Sequence, residues 1–123
     1  MTLRKRSKQK TPEHTVQMSL VKYMLYSYPS ILFCASAGGM RTSMSQAIKM
    51  KQSGYIKGFP DMFIYEPKKN FNGLALELKV KGNYPSPHQK KWIADLNNKG
   101  YKAVVCTGLD EAIEQLDSYM QND

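Results

Sequence analysis

The stretch PDMFIYEPKKNFNGLALELKVK, residues 60–81, decides the fold. Its second half alternates: Leu74, Leu76, Leu78 and Val80 share one face of a strand, and Ala75, Glu77, Lys79 and Lys81 share the other. Its first half, Asp61-Met62-Phe63-Ile64-Tyr65, is rich in strand-forming residues and follows the rigid turn Gly58-Phe59-Pro60. Polar residues separate the two runs and end in Asn72-Gly73, a hairpin signal. The stretch therefore predicts two antiparallel strands, with Asp61 at the start of one and Glu77 on the other. Charged groups facing inward on strands are costly unless paired or metal-bound. The alternative is an exposed sheet face decorated with opposite charges.

Outward from this hairpin the chain reads as alternating elements. Thr11-Pro12 supplies an N-cap and a proline for a helix whose apolar stripe is Val16, Leu20, Tyr23 and Met24, ended by Pro29. A strand fits 31–35, Ser36-Ala37-Gly38-Gly39 forms a loop, and a helix fits 43–53, closed by Gly54. Downstream, Ser86-Pro87-His88-Gln89 opens a helix as a capping box, with Trp92, Ile93 and Leu96 as its stripe and Gly100 as its stop. Tyr101 to Cys106 reads as a fourth strand and 109–120 as a closing amphipathic helix. The order αβαββαβα, a hairpin followed by a strand–helix–strand crossover, predicts an α/β domain with a mixed four-stranded sheet flanked by helices.

A chain of 123 residues, 41% hydrophobic, fits one domain with a real core. The reading is a basic arm over 1–10 and a single domain over 11–123. No apolar run is long enough to span a bilayer, and the N-terminus lacks a secretory segment, so a cytoplasmic location is expected. Cys34 and Cys106 lie in apolar runs and read as buried free thiols. Neither histidine has zinc-like spacing. The net charge is +8, unevenly spread: residues 14–60 contain no Asp or Glu, whereas residues 110–123 contain no Lys or Arg. A largely cationic surface suits a polyanion such as DNA, with a merely basic protein as the alternative.

Phosphodiester cleavage needs a hard cation held by carboxylates and a positive group near the attacked phosphorus. Glu77 and Lys79 present a carboxylate and an ammonium roughly 7 Å apart along one strand face, and hairpin pairing brings Asp61 beside Glu77. Pro60-Asp61 followed by Glu77-Leu78-Lys79 resembles the PD-(D/E)XK nuclease superfamily, the restriction-endonuclease-like core. With Gly58-Phe59-Pro60-Asp61 and Gln89 added, the chain is similar to the VRR-NUC family from about Thr11 to Tyr119, especially its small single-domain phage and bacterial members. The resemblance implies Asp61, Glu77 and the main-chain carbonyl of Leu78 as metal ligands, completed by Glu13. The ion would be Mg²⁺, with Mn²⁺ as the alternative. It implies Lys79 as the residue that positions water and contacts phosphate, and Gln89 as a catalytic neighbour. Glu13 lies on the stripe of Val16, Gln17, Leu20 and Met24, so it faces the protein; a plain N-terminal acid is the alternative. Gln89 equally completes a helix cap. Gly38 and Gly39 offer backbone approach to phosphate or simply a turn; Ala37 stands where family members often carry asparagine. Arg41, Lys49, Lys51, Lys57 and Lys81 are candidate DNA-backbone contacts, each with a solvated surface as the alternative.

The expectation is a Mg²⁺-dependent endodeoxyribonuclease on branched DNA such as a Holliday junction, working as a homodimer because a four-way junction has two-fold symmetry. A nuclease on linear or flapped duplex, or a non-catalytic DNA-binding module, are the competing readings.

Overall fold

In the computed structural model the described residues are 12–36 and 42–123. The basic arm at 1–10 and the loop residues Gly38, Gly39 and Arg41 lie outside them. Helix α1 (Pro12–Ser27) leads to β1 (Phe33–Ala35), α2 (Met44–Gln52), β2 (Met62–Ile64) and β3 (Leu74–Lys79). Then come α3 (Pro87–Asn98), β4 (Lys102–Thr107) and α4 (Gly108–Met120), the expected order. The sheet runs β1-β2-β3-β4 and is mixed: β1–β2 and β2–β3 are antiparallel, and β3–β4 is parallel across the α3 crossover. No helix among the described residues is long and apolar enough to cross a membrane.

The alternation in β3 builds two cores. Leu74, Leu76 and Leu78 point into one with Met62, Ile64 and Cys106, covered by Leu20 and Met24 of α1 and by Ala112, Leu116 and Tyr119 of α4. Ala75 points the other way, with Phe63 and Ala103, under Leu96, Trp92 and Ile93 of α3. Glu77 and Lys79 share the parity of Ala75, so they belong to the α3 face. Two caps fix helix starts: Ser43 and Ser86 each accept from a backbone N–H three residues on, with Gln46 and Gln89 reciprocating. Both helices end before glycines with positive φ, Gly54 at +108° and Gly100 at +92°.

Two expectations change. Asn72-Gly73 is no tight hairpin turn: Ile64 pairs with Leu74, so the connection spans residues 65–73. Gly73 lacks the positive φ of such a turn, and Asn72 instead holds the α3–β4 corner, its Nδ2 donating to the Lys99 carbonyl. The cysteines differ as well. Cys106 is buried in β4, but Cys34 is exposed on β1, the short strand at the edge of the sheet.

Candidate active site

Met62 pairs with Leu76, so one row further Asp61 stands opposite Glu77. The ladder is closed there by a side chain: Asp61 Oδ2 accepts from Leu78 N at 2.7 Å. Its own carbonyl accepts from Ser36 N at 2.9 Å, tying it to the end of β1. The preceding turn sets this position. Pro60 is buried, and Phe59 meets Trp92 edge-on at 4.8 Å between ring centroids. Gly58 (φ +96°) is seated so closely on α3 that a Cβ would lie 2.7 Å from the His88 carbonyl carbon.

Glu77 is only 2% exposed and is the buried charged residue of the described core. Its Oε2 lies 3.5 Å from Lys79 Nζ, and its Oε1 is buried without a hydrogen-bond partner. Burial, followed by the charge of Asp61, pushes the Glu77 carboxyl up to about 8, against the pull of Lys79. Asp61 is raised too, by burial first, while the Leu78 N–H, Glu77 and Lys79 act the other way and Glu13 adds to the rise. Two neighbouring carboxyls, both raised by burial, with an unpartnered buried oxygen on Glu77, form a donor set that a cation would complete. The chemistry fits a hard ion taking one or two carboxylates, and Leu78, between Glu77 and Lys79, offers a main-chain carbonyl at the same point of the strand.

Glu13 stands apart from this pair. Its Oε2 accepts from Asn83 Nδ2 at 3.1 Å, and its charge reaches Asp61. Among the described residues no three His, Cys, Asp or Glu side chains are grouped to hold a metal ion. Gln89 is engaged in the cap: its Oε1 accepts from Ser86 N at 2.8 Å. The structure therefore brings Asp61, Glu77 and Lys79 together, gives Glu13 an electrostatic part, and uses the Gln89 carboxamide oxygen to start α3.

The four described candidate lysines are all exposed: Lys49 and Lys51 end α2, Lys57 follows it, and Lys81 follows β3. Sequence reasoning missed their apolar and aromatic setting. Lys51 and Lys57 line a cavity of about 810 Å³ together with Tyr55, Ile56 and His88. The only local signal was the position of His88 beside Gln89, which says nothing about a loop 30 residues away in sequence.

A mixed β1-β2-β3-β4 sheet that presents an Asp, a Glu and a Lys on adjoining strand ends defines a restriction-endonuclease-like nuclease fold. The VRR-NUC domain model matches residues 2–110, and the chain belongs to the VRR-NUC family. A solved structure described as a VRR_NUC domain protein is similar to it with 28% sequence identity and a TM-score of 0.76, covering 93% of this chain and 92% of that one. No curated protein matches the sequence.

Proposed function

We propose that this protein is a divalent-metal-dependent endonuclease that hydrolyses phosphodiester bonds in DNA, with branched DNA such as a four-way junction as its preferred substrate. The observation that carries the reading is the buried, unpartnered Glu77 Oε1 beside Asp61 and Lys79. A protein that needed only a stable sheet would fill this position with an apolar residue, because a buried carboxyl without a full set of partners is destabilising.

A Mg²⁺ or Mn²⁺ ion held by Asp61, Glu77 and the Leu78 carbonyl would supply positive charge at the phosphate and a more acidic water. The remaining work falls to the chain itself. The Leu78 N–H fixes the Asp61 carboxylate through one oxygen and leaves the other for a ligand. Lys79, whose side chain is 11% exposed, keeps its ammonium at Glu77. From there it can orient a water and meet the charge that builds on the phosphate oxygens. Exposed lysines on α2 and its following loop hold the DNA backbone. The products are a 5′-phosphate and a 3′-hydroxyl, as expected for the superfamily. Paired incisions across a two-fold junction call for a homodimer, which sedimentation at micromolar concentration tests.

Labelled four-way, flapped and linear DNA incubated with Mg²⁺ or with EDTA tests the activity directly. Cutting is expected with Mg²⁺ alone, fastest on the branched substrates. Asp61→Ala and Lys79→Ala should each lower the rate by at least about 10²-fold while binding persists. Undiminished cutting by Asp61→Ala would overturn the site assignment.

A further inference from the structure

The 53–58 connection carries an isoleucine in an unusual setting. Ile56 is 63% exposed, yet its backbone is held: Trp92 Nε1 donates to the Ile56 carbonyl at 3.2 Å and to the Lys57 carbonyl at 3.1 Å. Two residues on, Gly58 is wedged against His88 of α3. A solvated apolar side chain is common by itself. This one lines two hollows that share Lys57 and His88 with it. The larger, of about 810 Å³, is also lined by Thr42, Lys51 and Tyr55. The smaller, of about 510 Å³, is also lined by Lys91, Trp92 and Asp95. The single acid there, Asp95, is ion-paired with Lys91 at 2.9 Å. The larger hollow falls within the roughly 300–1,000 Å³ of small-molecule sites, and its charged lining is wholly cationic.

We infer that Ile56 is a wedge that unstacks a base beside the cut, and that the cavity of Tyr55, Lys51, Lys57 and His88 receives the displaced nucleotide. This rests on the DNA-nuclease reading and extends it to substrate choice. The chemistry suits each part of a nucleotide: Tyr55 and Ile56 for the base face, and Lys51 and Lys57 for the phosphates on either side. Ile56 is five residues from Asp61, at most roughly 17 Å along an extended chain, so the displaced nucleotide lies within a few positions of the scissile phosphate. Unstacking costs least where bases already lack full stacking, at a branch point or a flap. The wedge thus favours branched over continuous duplex without reading sequence.

The test uses four-way DNA carrying 2-aminopurine singly at each of the branch-proximal positions, with saturating protein in EDTA. Wild type should raise the emission at one or two positions clearly above that of the free DNA, because a displaced base loses its stacking neighbours. Ile56→Ala should abolish that rise and weaken binding about tenfold, while Ile56→Leu should retain it. Leu25→Ala, at an exposed apolar residue of α1, should behave as wild type. Because the Ile56 side chain is exposed and its carbonyl carries the tether, the variants should melt at the wild-type temperature. A full emission rise with Ile56→Ala bound would overturn the wedge alone. Failure of wild type to bind any DNA would overturn the nuclease reading with it.

Discussion

Glu77 is the residue at which stability and activity pull apart. Its carboxyl is raised by burial and by Asp61, so the folded, metal-free chain holds a proton that the unfolded chain releases. For a group with a raised folded-state value, the stabilisation is fully present below its ordinary range near 4.5 and is lost as pH rises toward about 8. Urea titrations in EDTA should therefore show stability falling between pH 5 and pH 8, by on the order of a few kcal/mol. Glu77→Gln should flatten that slope and be the more stable protein at pH 8, though inactive. A wild type equally stable at both pH values would remove the basis for this. The shared face of Glu77 and Lys79 was legible in the sequence because strand parity is a two-residue rule; the register that sets Asp61 opposite Glu77 was not, because it depends on the long 65–73 connection and not on a turn at Asn72-Gly73. The part played by Glu13 was not legible either. Its helical stripe shows that it faces inward, but whether it meets Asn83 or the Asp61–Glu77 pair depends on a neighbour 70 residues away.

The contact between α1 and α4 closes the larger core. Tyr23 of α1 donates to Asp117 Oδ2 at 2.7 Å, and Tyr28, just past the end of α1, donates to Oδ1 at 2.6 Å, so a single carboxylate on α4 holds the last part of α1 and the segment that leaves it. The Tyr28 hydroxyl is pushed up to about 12, by burial first and then by Asp117. Asp117→Ala takes the carboxylate away from two part-buried hydroxyls and should cost about 1–3 kcal/mol in urea unfolding. Tyr28→Phe added to that variant should cost little more, since its carboxylate partner is already gone; full additivity would argue against the shared carboxylate. The start of α3 was readable from local chemistry, because the Ser86–Gln89 capping box needs only residues three apart; the matching Ser43–Gln46 box on α2 came from the structure. The 65–73 connection was misread for the opposite reason. Asn72 and Gly73 are turn formers, but here they answer to the α3–β4 corner and to Phe63, whose ring would lie 3.0 Å from a Cβ at Gly73.

Across the whole molecule the charge is arranged by region, with residues 14–60 free of acids and the acidic α4 packed on the side of the sheet away from Glu77. DNA binding should accordingly be strongly salt-dependent. For about four phosphate contacts, affinity should fall by roughly two orders of magnitude between 50 and 200 mM salt, and Lys57→Ala should reduce the log–log slope by about one. A Lys57→Ala slope equal to that of wild type would exclude this lysine from the phosphate contacts. Composition showed that a polyanion suits the surface; it could not show that the loop after α2 lies against α3, because that contact is purely tertiary. The same contact has a practical outcome. Trp92, whose indole N–H is bound to the Ile56 and Lys57 carbonyls, is the chain's single tryptophan. All indole emission of this molecule therefore originates beneath one loop, so the protein carries its own optical probe of whatever lifts, tightens or occupies that corner.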